Sequence, residues 1–586
     1  MTSPYGTGTV TPFALSGNPT IDAFTNIGIK WGSGGQGVGA VVTYSFPKAG
    51  AAWISDYYDG EPFDGFQGFN AAQQNAARQA LSLWSEVADI QFVEVPDTAN
   101  DVGDIRFGFS RVVTNSTAAA WAYYPYENPN YEFPEAGDIW FDAKYPPNLQ
   151  MTPGKFGFST LLHEIGHAIG LDHPFNDGFG EPVLDSALDN LRYTVMSYTP
   201  VAFVSVEPMT PMLLDILAIQ HISGPNMTTR TGNHVYKFSA SVQELRAIWD
   251  AGGIDTIDAS NQTVAAIINL DDGEFSSIGR RVYGVAADNI AIAYGVTIEN
   301  AKGGSGADKI TGNDVANVLS GNAGNDILDG ELGADTLRGG RGNDIYIIGD
   351  GDTIDEQGNR DLGDEIRIST SVNLTAFAGG VIERATAIGD NAVNFTGNKA
   401  ANILIGNAAT NILDGAAGAD ILKGGAGNDL YYVDAATDRI DEGTNKDAAD
   451  EVRSTVAVNL TTLGKGQIEI ATLLGTKSVG VTGNTQNNFI TGNSGANILN
   501  GGGGNDTLKG AEGNDTLTDT LGSNDLDGGI GNDRLTTSAG HDTLIGAQGN
   551  DTLSSGAGND VLDGGAGMHS MNGGTRADTH YVDDAK

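Results

Sequence analysis

Residues 303–347 read GGSGADKIT, GNDVANVLS, GNAGNDILD, GELGADTLR and GGRGNDIYI, five nonapeptides in one register. A fixed short period marks a repeat architecture, in which each unit buries its apolar residue only by stacking on its neighbours. The period returns over 397–432 (GNKAANILI, GNAATNILD, GAAGADILK, GGAGNDLYY) and then runs unbroken in register over 483–581. Gly at positions 1, 2 and 4 permits a tight turn with inward-pointing carbonyls, and Asp at position 6 adds a carboxylate. The apolar residue at position 8 fills a narrow core. Oxygen-only donors select a hard cation, Ca²⁺ above all. Position 6 is Asp at Asp308, Asp326, Asp335, Asp344, Asp420, Asp429, Asp506, Asp515, Asp533, Asp542, Asp551, Asp560 and Asp578, and these carboxylates are the candidate calcium ligands. Position 8 is Ile, Leu, Tyr or Met in every unit but the last, where it is His580. Units with Asn at position 6, such as GNSGANILN, keep the period and are expected to stack without a full site. A flexible Gly/Asp linker has no reason to place an apolar residue at every ninth position. Without metal, one small apolar side chain per unit does not offset the ordering entropy, so calcium is expected to switch folding on.

Between the runs lie two similar stretches, IDEQGNRDLGDEIRISTSVNLTAFAGGVIERAT from Ile354 and IDEGTNKDAADEVRSTVAVNLTTLGKGQIEIAT from Ile440. A larger unit has been duplicated. The whole chain has 586 residues, more than one hydrophobic core of about 250–300 residues accommodates. Composition shifts near 225–240, from aromatic and Pro-containing text to Gly, Asn, Asp and Leu. The expected domains are 1–235, a first repeat domain 236–347, a spacer 348–396, a second run 397–432, a spacer 433–482 and a third run 483–586. With 74 acidic against 31 basic residues the formal charge is −43, which disfavours nucleic acid and anionic membranes and favours cations. There is no cysteine, which excludes disulfides and thiol catalysis. Neither a cleavable signal over Met1–Thr20 nor a run of 18 apolar residues is readable.

In the first part, Asn70–Val87 places Ala77, Leu81, Trp84 and Val87 at helical spacing. Ile90–Val95, Asp104–Phe109, Trp121–Tyr124 and Asp138–Phe141 read as short strands, which suggests an α+β domain. A second helix is expected in FSTLLHEIGHAIGLDH, residues 158–173, with Ser159 or Thr160 as its cap. His163 and His167 lie one turn apart on one face, and Gly170 can end the helix and bring His173 back toward them. Three imidazoles leave a metal ion a position for water. Zinc held this way lowers the pKa of that water toward neutrality, and Glu164 is placed to take its proton. The pattern H-E-x-x-H-x-x-G-x-x-H arises by chance in such a chain with a probability on the order of 1 in 10⁵.

Downstream, Tyr193-Thr194-Val195-Met196-Ser197-Tyr198 completes a pairing that resembles the metzincin metallopeptidases and, within them, the serralysins. The resemblance implies an α+β metzincin catalytic domain followed by an all-β parallel β-roll of RTX type with spacers. It implies that Met196 forms a turn beneath the metal, and that Tyr198 is both an extra zinc ligand and a stabiliser of the oxyanion. It implies that Trp121–Pro125 is the edge strand to which an extended peptide adds. It also implies calcium ligands at Asp250, Gly252, Gly253, Asp255, Thr297 and Glu299, leading into Gly304, Gly306 and Asp308. Family members leave the cell through a one-step channel that reads the C-terminal repeats. Two features depart from that pattern: three repeat runs instead of one, and a chain ending in DDAK, where the family tends to have an acidic residue followed by apolar ones. No inhibitory pro-segment is readable before Ser45-Phe46-Pro47.

The reading is therefore a secreted, extracellular, monomeric zinc endopeptidase acting on polypeptides, stabilised by several calcium ions, with neither a nucleic-acid partner nor a membrane span. The rival is a calcium-dependent adhesin or surface-layer protein whose peptidase domain is vestigial or self-processing; the enlarged repeat array motivates it.

Overall fold

A computed structural model describes residues 9–582 except 54–56, 58–59, 112–117, 127–134, 176–181, 202–205, 282–283, 286, 357–362, 378–381 and 444–448. The terminal DDAK lies outside the described residues. The chain forms two compact units, 1–326 and 327–586.

The first unit opens with an α+β domain. Its sheet runs Ile90–Glu94, Ala40–Ser45, Ile105–Ser110, Ile139–Asp142, Ala120–Ala122, with neighbours along this path parallel except the last pair, and Gln67–Gly68 adds antiparallel to Ile105–Ser110. Ala120–Ala122 is the antiparallel edge, with Trp121 opposite Trp140. Four helices accompany it: α1 (Pro19–Thr25), α2 (Ala71–Val87), α3 (Phe156–Ala168) and α4 (Leu213–Ser223). The side chain of Asn70 caps α2 and Gln73 answers to the Asn70 N–H, a reciprocal box that fixes the start of the helix. The predicted stripe of α2 is buried, and Trp84 Nε1 donates to Leu162 O at 3.2 Å, joining α2 to α3.

Helix α3 corrects one expectation. It begins at Phe156 behind Lys155, which makes no side-chain cap, so Ser159 and Thr160 fall inside the helix. Thr160 Oγ1 instead donates back to Phe156 O at 2.9 Å. The physical cause is the turn at Gly154, φ +80°, which redirects the chain earlier than the hydroxyl pattern suggests.

The rest of the first unit holds parallel coils: Val235–Lys237, Thr256–Asp258, Asn300–Lys302 and Val318–Ala323 pair in order, as do Ile267–Asn269 and Lys309–Thr311. The second unit is itself a parallel β-solenoid. Thr516 pairs with Arg534 and Arg534 with Thr552, so two nonapeptides close one coil of 18 residues. The position 8 residues, among them Leu508, Leu517, Leu526, Leu535, Leu544, Leu553 and Leu562, stack in a core without solvent exposure. His580 is exposed. The spacers are not linkers. Glu365–Ile368 and Arg384–Ala387 continue one sheet, and Glu451–Ser454 and Ile470–Leu473 another, as wider coils that carry insertions.

Several sixth-position carboxylates divide their labour. Asp533 Oδ1 accepts from Asp515 N at 2.8 Å and Asp560 Oδ1 from Asp542 N at 3.0 Å, stitching one coil to the next. The second oxygen of Asp420, Asp515, Asp533, Asp542 and Asp560 is buried without a hydrogen-bond partner. Asn units solve the same problem internally: Asn497 Oδ1 accepts from Asn493 N at 2.8 Å and its Nδ2 donates to Val479 O at 3.0 Å. An amide therefore closes the turn without an ion, whereas a carboxylate leaves an acceptor that a cation must meet. At position 4, Gly531 takes φ +151°, and a Cβ there would lie 1.5 Å from Gly513 O, so the coil admits only glycine.

Burial pushes Asp515 up to about 7 and both Asp533 and Asp420 up to about 6, against 3.8 for an ordinary aspartate. The folded array thus holds protons that the unfolded chain has lost, and without metal its stability falls as pH rises through that window. In excess chelator, the melting temperature followed by circular dichroism should rise as pH is lowered from about 8 to about 5. With excess calcium the order should reverse, because protons then displace the ion. Equal melting at both pH values in chelator would contradict this.

Candidate active site

Helix α3 carries His163, Glu164 and His167 on its buried face, and Gly170 at φ +109° turns the chain so that His173 returns to them. The three Nε2 atoms form a nearly equilateral triangle: His163 to His167 3.1 Å, His163 to His173 3.2 Å and His167 to His173 3.0 Å. Ligands about 2.0–2.1 Å from a tetrahedral ion stand roughly 3.3 Å apart, so the triangle suits zinc. The first two rings are oriented from behind, His163 Nδ1 against Val195 O at 2.7 Å and His167 Nδ1 against Leu171 O at 2.8 Å. Each Nδ1 therefore carries the proton and each Nε2 presents a lone pair. Burial holds His163 down to about 3 and His167 well below its ordinary value, so both imidazoles are neutral, as ligands must be.

Glu164 is buried, and burial pushes its carboxyl up to about 8. Its Oε2 has no hydrogen-bond partner. Tyr198 reaches in from the other side. Its hydroxyl is 2.8 Å from His173 Nε2, although the side chain is 67% exposed. That exposure leaves the ring free to swing.

Several residues absent from the sequence reading hold this arrangement. Asp172 Oδ1 accepts from the Tyr124 hydroxyl at 2.6 Å and from His173 N at 2.8 Å, tying the segment after the edge strand to the third histidine. Phe175 stacks on His173 at 4.8 Å. Asp215, fully buried on α4, accepts from Thr194 Oγ1 at 2.5 Å and from Val195 N and Met212 N, both at 2.8 Å. It thereby fixes the turn whose Val195 carbonyl orients His163. Met196 lies beneath α3, and Gly166 is what admits it: a Cβ there would meet Met196 Sδ at 2.6 Å. Of these, only Asp172 carried a local signal, its place beside His173.

The calcium candidates divide. Asp250 and Asp255 converge with His234, a residue the sequence reading passed over. Asp250 Oδ1 accepts from Gly252 N, and Asp255 N donates to Glu299 Oε2 at 2.7 Å. Gly253 is required for close approach, since a Cβ would lie 2.4 Å from Gly232 O. Thr297 is exposed. Asp308 spends both oxygens on backbone, Oδ1 on Ala266 N and Oδ2 on Gly304 N, each at 2.6 Å. Gly306 packs against Ala265 N. Asp326 Oδ1 accepts from Asp308 N at 2.7 Å and Asp506 Oδ1 from Asn488 N at 2.7 Å. Asp551 faces His569, which takes the sixth-position place in the following coil. Asp335, Asp344 and Asp429 are buried in their turns.

Comparison with known proteins converges on the same elements. The Peptidase M10 serralysin C terminal model matches residues 225–477, the Matrixin model residues 65–179, and the RTX calcium-binding nonapeptide repeat model four segments, 482–517, 509–544, 518–553 and 536–567. The chain is similar to serralysins over about half of its length. It is 37% identical over 308 residues to Serralysin of Proteus mirabilis, covering 47% of this chain and 60% of that protein. It is 37% identical over 311 residues to Serralysin C of Dickeya chrysanthemi, covering 48% and 61%, and 36% identical over 287 residues to Metalloprotease AprA of Pseudomonas entomophila, covering 44% and 56%. The chain thus spans about 60% of the length of these serralysin relatives. A matrixin domain implies a catalytic zinc, for which His163, His167 and His173 are a fitting donor set, and the RTX repeats imply several structural calcium ions.

Asp215→Ala should weaken zinc binding roughly 10–100-fold, as loss of a group behind a ligand does. Competition with a chromophoric chelator checks this. Unchanged affinity would remove Asp215 from the support of His163.

Proposed function

We propose that the chain is a secreted zinc-dependent endopeptidase, stabilised by calcium, that hydrolyses peptide bonds of extracellular proteins. Its peptidase domain is placed at 1–235, with the repeat runs and spacers following as the sequence reading divides them. The observation that carries this reading is the Nε2 triangle beside a buried carboxylate with an unsatisfied oxygen. When bound, zinc supplies a Lewis acid that polarises a carbonyl and makes water acidic near neutral pH.

The chain's own residues do the rest. The Ala120–Ala122 edge pairs on one side only among the described residues, so an extended substrate can add to it through main-chain hydrogen bonds. Glu164 takes a proton from the attacking water as the new C–O bond forms. It then delivers that proton to the leaving nitrogen as the C–N bond breaks. Tyr198 donates its hydroxyl to the oxyanion, releasing its contact with His173 to do so. Among the described residues no helix is long and apolar enough to cross a membrane. Export through a one-step channel, with calcium closing the coils outside the cell, fits an array bound at about 10⁻⁴ to 10⁻³ M calcium. The folded product is read as a monomer.

Glu164→Ala should keep its zinc, measured by mass spectrometry, and lose cleavage of a denatured protein substrate by at least about 10³-fold. Tyr198→Phe should lower kcat by roughly 10²-fold with little change in KM. Full cleavage by Glu164→Ala would overturn the assigned base. A wild-type chain that binds zinc, cleaves nothing and adheres to cells through 240–586 would favour the adhesin reading.

A further inference from the structure

The second spacer brings three acidic side chains to one buried point. Asp429 precedes the Leu430–Val433 strand, Asp450 precedes the neighbouring Glu451–Ser454 strand, and Glu442 follows Arg439–Ile440. One oxygen from each lies within 4.8 Å of the others. All three are at most 3% exposed. Glu442 meets the hydroxyl of the fully buried Tyr431 and has no other hydrogen-bond partner, so its carboxylate keeps a buried oxygen without a donor. The other surroundings are already committed. Asp429 Oδ1 accepts from Asn411 N at 2.7 Å and Asp450 Oδ1 from Asp429 N at 2.8 Å. Among the described residues of this stretch, Lys423 and Lys465 are engaged by Asp441 instead.

Three carboxylates crowded out of water repel one another and are individually costly to bury. Burial first, and then Asp450 and Asp429, push Glu442 up to about 8 against the lowering effect of the Tyr431 hydroxyl. The surroundings leave no room for rearrangement: a Cβ on Gly424 would lie 2.0 Å from Asp429 Oδ2 and 2.1 Å from the Tyr431 hydroxyl. A donor set of oxygens alone suits a hard divalent cation of variable coordination. The first spacer supplies the counterparts Asp344, Glu356 and Asp364, with Asp344 N again donating to Asp364 Oδ1 at 2.8 Å. There Tyr346 likewise donates its hydroxyl to Glu356 Oε1.

We propose that Asp429, Glu442 and Asp450 form a calcium site in which the sixth-position aspartate of the last nonapeptide of the second run is joined by two carboxylates of the second spacer. The site makes that spacer a metal-closed coil in its own right, so calcium locks the wide coils as well as the regular ones. It rests on the fold and donor set alone, independently of peptidase activity.

The full chain, stripped with chelator and reloaded with calcium, should carry one ion fewer per molecule in Glu442→Gln than in wild type by native mass spectrometry, with the same circular dichroism. An unchanged count in a folded variant overturns the proposal. Should the variant not fold, crystals of the unmodified chain soaked in Tb³⁺ decide: an anomalous peak between the three carboxylates supports the site. Peaks at the nonapeptide turns with none there overturn it.

Discussion

A buried carboxylate oxygen without a donor is the constraint on which the repeat array depends. Asp420, Asp515, Asp533, Asp542 and Asp560 each use one oxygen to stitch neighbouring coils and leave the other buried without a hydrogen-bond donor. Core burial alone is thin here, since each coil of 18 residues contributes two stacked apolar side chains. The ion is therefore part of the fold, and the net charge of −43 is tolerable only because cations are structural components. Asparagine at the same position shows the alternative, in which the amide satisfies itself and the coil closes without metal.

The zinc centre follows a different logic. Here the donors are imidazole nitrogens: burial keeps His163 and His167 neutral, and direction comes from groups behind the rings, two backbone carbonyls for His163 and His167, Asp172 and Phe175 for His173, and Asp215 for the turn that offers Val195. The geometry is prepared before an ion arrives, because the Nδ1 protons of His163 and His167 are already spent. Glu164 stands in the same buried environment, which lifts its proton affinity into the range where a group can both take and return a proton. Soft or borderline metal at the helix and hard metal in the coils are thus separated by donor chemistry alone.

Much of this was legible beforehand. The nonapeptide period dictated stacked coils, and the histidine spacing dictated a convergent triad, since each depends on offsets of a few residues that local geometry translates directly. Helix α4 was not legible: LLDILAIQHIS is apolar nearly all round, and a helix buried on every side shows no amphipathic period. The helix cap at Lys155 was missed because a glycine turn outweighed two candidate hydroxyls.

The sequence by itself determined which atoms are available: imidazoles at a helical interval, carboxylates at a nine-residue interval, and glycines where backbone must approach backbone. Only the tertiary structure decided which of them meet. Asp215 reaches the turn under His163 from 20 residues away, and Glu442 reaches Asp429 and Asp450 from across a coil. It also decided that Asp308, equal to its fellows in the repeat pattern, spends both oxygens on backbone. Spacing along a chain governs neighbours within a turn or a coil. Contacts between segments depend on how whole elements pack, and no local period encodes that.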